Sequence, residues 1–285
     1  MSIYDVVLIA LGAASTVAVL SAAGLTMFAL LFAAQLIHAT GPIRRATTVS
    51  ITIGIVLTVI HHGLSPARMT ASLSGVWDAS LQTMLLQSDA GLAHGVRLVG
   101  LLLLAATLRS QHALVVGLTG SMLIVASFLF MGHTASHDGR AILVGALAVH
   151  LSVLTFWFGA LGPLHLVVQR EAIETAATVL RRFSAMAFWS VPMVFIAGLV
   201  MSLMLLSSWD DLFEPYGLLL MTKATLFALL MLLAALNKWR YTERIFAGDE
   251  AAAAAFRTAI VLEWIGIAIV IVVTSFMTGL FAPDG

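Results

Sequence analysis

The chain has 285 residues, of which 61% are apolar and only 10% are charged. Such a chain cannot cover itself with a solvated surface, which excludes a soluble globular domain and predicts an integral membrane protein. Fourteen basic and 14 acidic residues balance, so no basic surface for nucleic acid is expected. The absence of cysteine excludes disulfides, thiolate metal sites and thiol catalysis.

Eight apolar runs are long enough, at roughly 20 residues, to cross a bilayer as helices. They cover residues 4–38, 46–64, 91–108, 112–132, 141–168, 184–208, 217–237 and 257–281. The first run is too long for one perpendicular helix, and Gly24 marks a break, an overhang or a tilt. No basic segment precedes it, so we expect no cleavable signal peptide. Without an extended alternating pattern, the sequence predicts an all-α membrane protein, a single domain over residues 1–285, rather than a β-barrel.

Basic residues near the predicted helix ends indicate the orientation. Ten follow helices 1, 3, 5 and 7, and four lie on the opposite side. By the positive-inside rule, the ten mark the cytoplasm, and both termini face outward. The outer loop over residues 65–90 spaces its apolar residues helically from Leu73 to Gln87, which predicts a short interfacial helix that could cover a site.

Histidine is concentrated at the predicted outer surface. Imidazole is the commonest protein ligand for transition metals, and membrane insertion does not require it. Five of the nine histidines lie at this surface, and a sixth, His150, lies just beneath it. The five are His61, His62, His94, His133 and His137. We therefore predict a metal site at this end of the bundle.

The segment from Gly132 to Asp138 carries the sharpest local signal. His133 and His137 are four residues apart, which on a helical turn places both imidazoles on one face. Asp138 would be a third ligand or a hydrogen-bond acceptor for a ligand. Met131 adds a thioether, which suits Cu(I). A polar helix cap is the alternative interpretation.

The adjacent pair His61 and His62 and the deeper His150 are considered separately. His61 and His62 are adjacent and point about 100° apart on a helix, so we do not expect both to face one ion. His150 lies roughly 14 Å below the outer end of its helix, where an ionisable group is a candidate ligand or relay. The alternative is a hydrogen bond to a neighbouring helix. Trp157 follows one heptad later, before Gly159 and Gly162, which permit close helix approach.

Three buried charges accompany the histidines. Arg97 lies one turn below His94, and we expect it to snorkel outward, the alternative being neutralisation of an acidic ligand. Lys223 and Glu263 differ in depth by some 15 Å and are not expected to form an ion pair. Glu263 is either a proton carrier or a structural carboxylate bonded to Asn237.

Short motifs recur in order along the second half of the chain. They are His150-Leu-Ser-Val-Leu-Thr-Phe-Trp157-Phe-Gly159, Arg182-Phe-Ser184, Pro215-Tyr-Gly217 followed by Lys223, Asn237 before a basic loop, and Glu263 in the last helix. With Gly132-His133, they resemble the bacterial copper resistance protein D family of inner-membrane proteins over roughly residues 90–281. The resemblance implies copper movement across the inner membrane, inward, with a separate periplasmic copper-binding partner. The tandem His61-His62 is not part of that resemblance.

The sequence therefore supports a copper transporter rather than an enzyme. Outer histidines would collect the ion and His150 would pass it inward, since a transport path needs several moderate sites. No phosphate-binding loop is present, so ATP-driven pumping is not expected. The alternatives are an oxidoreductase that binds haem b, with His94 and either His150 or His133 as axial ligands, and a structural or assembly partner with incidental histidines.

Overall fold

The computed structural model describes residues 2–130, 139–206 and 208–280. These residues form α-helices joined by short 3-10 and π segments, and no β-strand occurs among them. The helices are α1 (Ile3–Leu31), α2 (Thr40–Thr70), α3 (Ala79–Leu86), α4 (Asp89–Thr107), α5 (Ala113–Ser127), α6 (Arg140–Arg170), α7 (Ile173–Leu205), α8 (Pro215–Leu236), α9 (Thr242–Phe246) and α10 (Glu250–Leu280). The predicted all-α membrane fold is confirmed.

Seven helical segments in the described ranges are long and apolar enough to cross a membrane. They correspond to α1, α2, α4, α6, α7, α8 with its continuation to Phe246, and α10. The remaining predicted run corresponds to α5, a shorter apolar helix. The ends differ most at α7, which begins at Ile173 where the sequence predicted residue 184. Helix α1 also stops at Leu31, before residue 38, and α10 begins at Glu250, before residue 257.

Helix α1 lies at the centre of the bundle, in contact with α2, α4, α5, α6 and α10. Gly24 does not break it, so that part of the prediction is wrong. Instead, Gly24 faces Gly159 of α6, and a Cβ at Gly24 would overlap the carbonyl oxygen of Thr155 and the Cα of Gly159. Gly162, also predicted to permit close approach, faces open space. The backbones of α1 and α6 therefore meet directly at one point.

One carboxylate closes the turn between α1 and α2. The Oε1 atom of Glu171, just after α6, accepts hydrogen bonds from the backbone N–H groups of Ile37, His38 and Ala39 at 2.9, 2.8 and 2.8 Å. These three residues lie in the turn that leads into α2, which begins at Thr40. Glu171 thus joins the first helical pair to the α6–α7 turn.

The predicted interfacial helix is divided into two pieces. A 3-10 turn over Leu73–Trp77 is followed by α3, and the two meet at Asp78. Asp78 is extended, and its carboxylate accepts from the N–H groups of Ser80 and Leu81, so it starts a new helix instead of continuing the old one. Trp77 is 87% exposed, as expected for an aromatic ring at a membrane interface.

The second half of the bundle is built from two pairs of helices. Helix α7 packs along α6, and α8 packs along α10, while α10 also contacts α6. Phe158 of α6 stacks on Trp264 of α10 with ring centroids 5.4 Å apart. Helix α8 passes into a π-helical segment, Asn237–Tyr241, before α9.

Candidate functional site

Three histidine rings from two helices meet at one end of the bundle. His61 and His62 lie near the end of α2, and His94 lies in the second turn of α4. The His94 ring centroid is 5.3 Å from that of His61 and 5.2 Å from that of His62, with the planes nearly perpendicular in both pairs. We call these three residues the histidine cluster.

Both adjacent histidines of α2 contact the same ring, that of His94 in α4. The expectation that they do not both face one ion stays a prediction. Both are half-buried, whereas His94 is 4% exposed. The sequence separation of one residue could not reveal this, because the ring that joins them comes from another helix.

The cluster contains one short contact between ring nitrogens. Nδ1 of His62 and Nδ1 of His94 are 3.1 Å apart, so one of the two rings donates its N–H to the other. The Nε2 atoms of both rings are buried and have no hydrogen-bond partner among the described residues. A buried polar atom without a partner costs about 1–3 kcal/mol, so this pair has unused capacity to bind.

The central helix α1 contacts the histidine cluster and is joined to α2 beside it. The His61 ring faces Gly12 of α1, where a Cβ would lie 3.7 Å from the imidazole, an ordinary contact. One turn deeper, the hydroxyl groups of Ser15 and Thr58 form a buried hydrogen bond of 3.2 Å between the two helices. The small residue at Gly12 and this polar contact were not identified from the sequence.

Arg97 is buried beneath the cluster and does not snorkel outward, so that expectation is wrong. Its side chain is 4% exposed; its Nε donates to the hydroxyl of Ser127 at 3.1 Å, and its guanidinium carbon lies 4.3 Å from the ring centroid of Phe128. It interacts electrostatically with His61 and His94. No carboxylate within the described ranges forms an ion pair with it. The contacts come from α5 and the residue after it, which spacing along α4 could not predict.

His150 occupies a different position from the cluster. It is half-buried on α6, and its Nδ1 lies 3.2 Å from the carbonyl oxygen of Val194 on α7, beside Gly198. Lys223 of α8 interacts with it electrostatically. The hydrogen bond to a neighbouring helix, which the sequence left as an alternative, is therefore present. Trp157 lies in the hydrophobic core, one heptad further along α6.

Glu263 of α10 is 4% exposed and is bonded to Asn237, one of the two roles that the sequence left open. The side-chain Nδ2 of Asn237 donates to Oε1 of Glu263. No ion pair joins Glu263 to Lys223, in agreement with their expected difference in depth; the two salt bridges among the described residues are Arg68–Asp5 and Arg244–Asp249.

Part of the predicted site lies outside the described residues. This part comprises Met131, His133, His137 and Asp138, which therefore stay predictions. Within residues 2–130, 139–206 and 208–280, no three histidine, aspartate or glutamate residues are placed to hold one metal ion together. The histidine cluster accordingly offers two nitrogen ligands at hydrogen-bonding distance and a third ring beside them.

These observations define a class of protein: a multi-pass helical membrane protein in which histidine rings of α2 and α4 are in contact. Comparison with known families agrees. The profile described as "Copper resistance protein D" matches residues 177–277, and "Copper resistance protein D-like, N-terminal domain" matches residues 3–143. The chain belongs to the copper resistance protein D family and is a multi-pass inner-membrane protein.

Two curated relatives are similar to parts of the chain. Copper transport protein CutJ of Bacillus subtilis is 28% identical over 113 residues, which are 38% of this chain and 21% of that protein. Inner membrane protein YebZ of Escherichia coli is 27% identical over 167 residues, 56% of this chain and 58% of the relative. The matched segments thus span less than two thirds of either relative. No solved structure matches the chain.

Proposed function

We propose that this protein carries copper ions across the bacterial inner membrane and that the histidine cluster is its first binding site. The observation that carries the proposal is the 3.1 Å separation of His62 Nδ1 and His94 Nδ1. Two nitrogens that bind one tetrahedral ion at about 2.0–2.1 Å lie about 3.3 Å apart. Copper can therefore replace the shared proton with a small movement of the rings.

The family supports copper as the cargo. The chain belongs to a family named for copper resistance, and one relative is a copper transport protein. Imidazole binds copper well, and no thiolate is available to hold the ion too tightly for release. His61 would be a third ligand after a rotation of its ring. His133, His137 and Met131, which follow α5 in the chain, would complete the outer end of the path.

His150 is a candidate second station. The ion would reach it after leaving the cluster, and its hydrogen bond to Val194 O would hold one tautomer with the other ring nitrogen free for copper. In this proposal, a separate periplasmic copper-binding protein delivers the ion near the 3-10 turn and α3, where Trp77 is exposed. The protein acts as a transporter rather than an enzyme.

Haem is less well supported than copper. Axial ligands of a haem approach its iron from opposite faces of the macrocycle, and the His62 and His94 rings are in direct contact. His150, an alternative partner for His94, is bonded to α7 instead.

Copper titration of the purified protein in lipid tests the proposal. We expect the wild type to bind copper, His94→Ala to lose one equivalent, and His62→Ala to weaken binding at least tenfold. Exposed His112→Ala is the matched control and should bind as the wild type does. Unchanged stoichiometry in both cluster variants would remove the cluster from the path, and a folded wild type that binds no copper would overturn the function.

A further inference from the structure

Glu263 and Asn237 form a buried polar pair that the proposed copper path does not use. Both side chains are 4% exposed, Glu263 on α10 and Asn237 at the start of the π-helical segment after α8. The amide nitrogen of Asn237 donates to Glu263, but its Oδ1 is buried and lacks a donor among the described residues. A buried acceptor in this situation is unusual and requires an explanation.

A proton on Glu263 completes the pair. A carboxylic acid presents one O–H donor and one carbonyl acceptor, and a primary amide presents the complementary acceptor and donor. The protonated acid supplies the donor that Asn237 Oδ1 lacks. If the amide were turned by 180°, its oxygen would face Glu263 Oε1, and only a protonated acid could donate across that contact. Both orientations of Asn237 therefore favour the protonated acid.

Among the described residues, none gives an ionised Glu263 a counter-charge. The titratable groups on α10 and on the helices and segments that pack against it are Glu250 and Arg257 of α10, Tyr4 and Asp5 of α1, Arg140, His150, His165 and Arg170 of α6, Tyr216 and Lys223 of α8, Lys238, Arg240 and Tyr241 of the π segment, and Glu243 and Arg244 of α9. None of these has a described contact with Glu263. His165 is directed to the carbonyl oxygen of Arg257, and Lys238 and Arg240 are exposed. An unpaired carboxylate buried in the membrane is costly, whereas the neutral acid is not.

We propose that Glu263 and Asn237 form a proton site within the membrane, at which Glu263 holds one proton at rest and releases it to water during transport. The inference rests on the proposed copper function and adds the coupling ion to it. The π-helical segment supports the exchange, because π segments leave irregular backbone geometry and frequently occur at functional sites. Copper and the proton would then use separate positions in the bundle.

Infrared spectroscopy of the copper-free protein in lipid tests the proton site alone. We expect the difference spectrum at pH 7, obtained by subtracting the spectrum of Glu263→Gln from that of the wild type, to show the carbonyl band of a protonated acid. The same subtraction with the exposed control Glu174→Gln should show only carboxylate bands. A carboxylate signal from Glu263 at pH 7 would overturn the proposal, whatever the protein does with copper.

Proteoliposomes that report internal pH test the coupling. We expect copper addition to move protons across the membrane in wild-type proteoliposomes and to move at least tenfold fewer protons with Glu263→Gln. The copper affinity of the solubilised variant should stay within twofold of the wild-type affinity. Equal proton movement in the two proteins would overturn the coupling. If the acid is protonated but the wild type moves no copper, the transport function fails and the proton site stands.

Discussion

At the scale of single residues, a positive charge is buried next to a proposed cation site. Arg97 has polar and aromatic partners, Ser127 and Phe128, but no acidic partner among the described residues. Repulsion between a fixed charge and a bound ion grows with the charge of the ion. The cluster should therefore prefer a monovalent ion, which for copper means Cu(I).

Replacement of Arg97 by glutamine tests this electrostatic role. We expect Arg97→Gln to bind Cu(II) and Zn(II) at least tenfold more tightly, equivalent to about 1.4 kcal/mol, and to change Cu(I) affinity less. Competition with a coloured chelator for Cu(I) and calorimetry for the divalent ions measure the two effects. Arg109→Gln, which alters an exposed arginine, is the control. Weaker binding of divalent ions in Arg97→Gln would contradict the prediction.

Residue types identified the candidate histidines, but their contacts could not be read from the sequence. His61, His62 and His94 stand out because imidazole is unusual in an apolar chain. The burial of Arg97 was missed because its partners follow from how α4 packs on α5. Ser127 and Phe128 carry no local pattern that distinguishes them from other helix residues.

At the scale of helices, the crossing of α1 and α6 depends on two residues without side chains. A Cβ on Gly159 would overlap the Cα of Gly24 as well as its carbonyl carbon. Backbone atoms cannot move aside as a flexible side chain can. The helices must separate if either glycine is replaced.

Two alanine substitutions three residues apart in α6 should have opposite consequences. We expect Gly159→Ala to destabilise the protein by about 3 kcal/mol or to prevent folding, because overpacking a tight contact is costly. Gly162→Ala faces open space and should be neutral or stabilising by up to about 1 kcal/mol, since alanine favours helix. Thermal unfolding in detergent measures both. Equal melting temperatures for the two variants would contradict the crossing.

The turn between α1 and α2 should depend on pH through Glu171. Partial burial raises the pKa of this carboxyl. The hydrogen bonds that it accepts from three backbone N–H groups, together with the nearby His38, lower the pKa by more, so the net shift is downward. Because the pKa is lower in the folded state, the ionised carboxylate stabilises the protein at pH values above the unfolded-state pKa of about 4.3. This stabilisation is lost as the pH falls through the folded-state pKa.

We therefore expect Glu171→Gln to lower the free energy of unfolding by about 1 kcal/mol at pH 7, a modest effect because solvent screens this partly exposed carboxylate. The effect should become smaller as the pH falls below about 4. Thermal unfolding of the wild type and the variant between pH 3 and pH 7 measures the difference. The exposed Glu174→Gln provides the matched control. A difference that does not change with pH would show that the charge of Glu171 has no role.

Apolar run length predicted how many helices exist better than where they end. The end of α1 at Leu31 was missed because the apolar sequence continues, and the turn is stabilised by Glu171, more than 130 residues away in the chain. The start of α10 at Glu250 was missed because the alanine-rich segment before residue 257 is helical but lies outside the most apolar stretch.

At the scale of the whole molecule, the structure fixes which helix ends lie together, and the charge pattern adds the predicted orientation. Asp5 at the start of α1 and Arg68 at the end of α2 form a salt bridge of 2.7 Å, so the histidine cluster and the start of the chain share one side. The basic-residue pattern predicts that this side is periplasmic. That assignment stays a prediction.

The natural absence of cysteine makes the orientation simple to test. We expect Ser80→Cys, on exposed α3, to react in intact cells with a thiol reagent that cannot cross the inner membrane. Gln111→Cys, between α4 and α5, should react only after the membrane is permeabilised. Both positions are exposed, so local access is matched. The reverse labelling pattern would invert the topology and place the cluster in the cytoplasmic half.

The meeting of Gly24 and Gly159 also constrains how the chain can evolve. A clash between two large side chains can usually be relieved when one of them becomes smaller, which is how second-site suppressors arise. Neither glycine can become smaller. A genetic screen that starts from Gly159→Ala should therefore recover true revertants at that codon and no compensating substitution at Gly24.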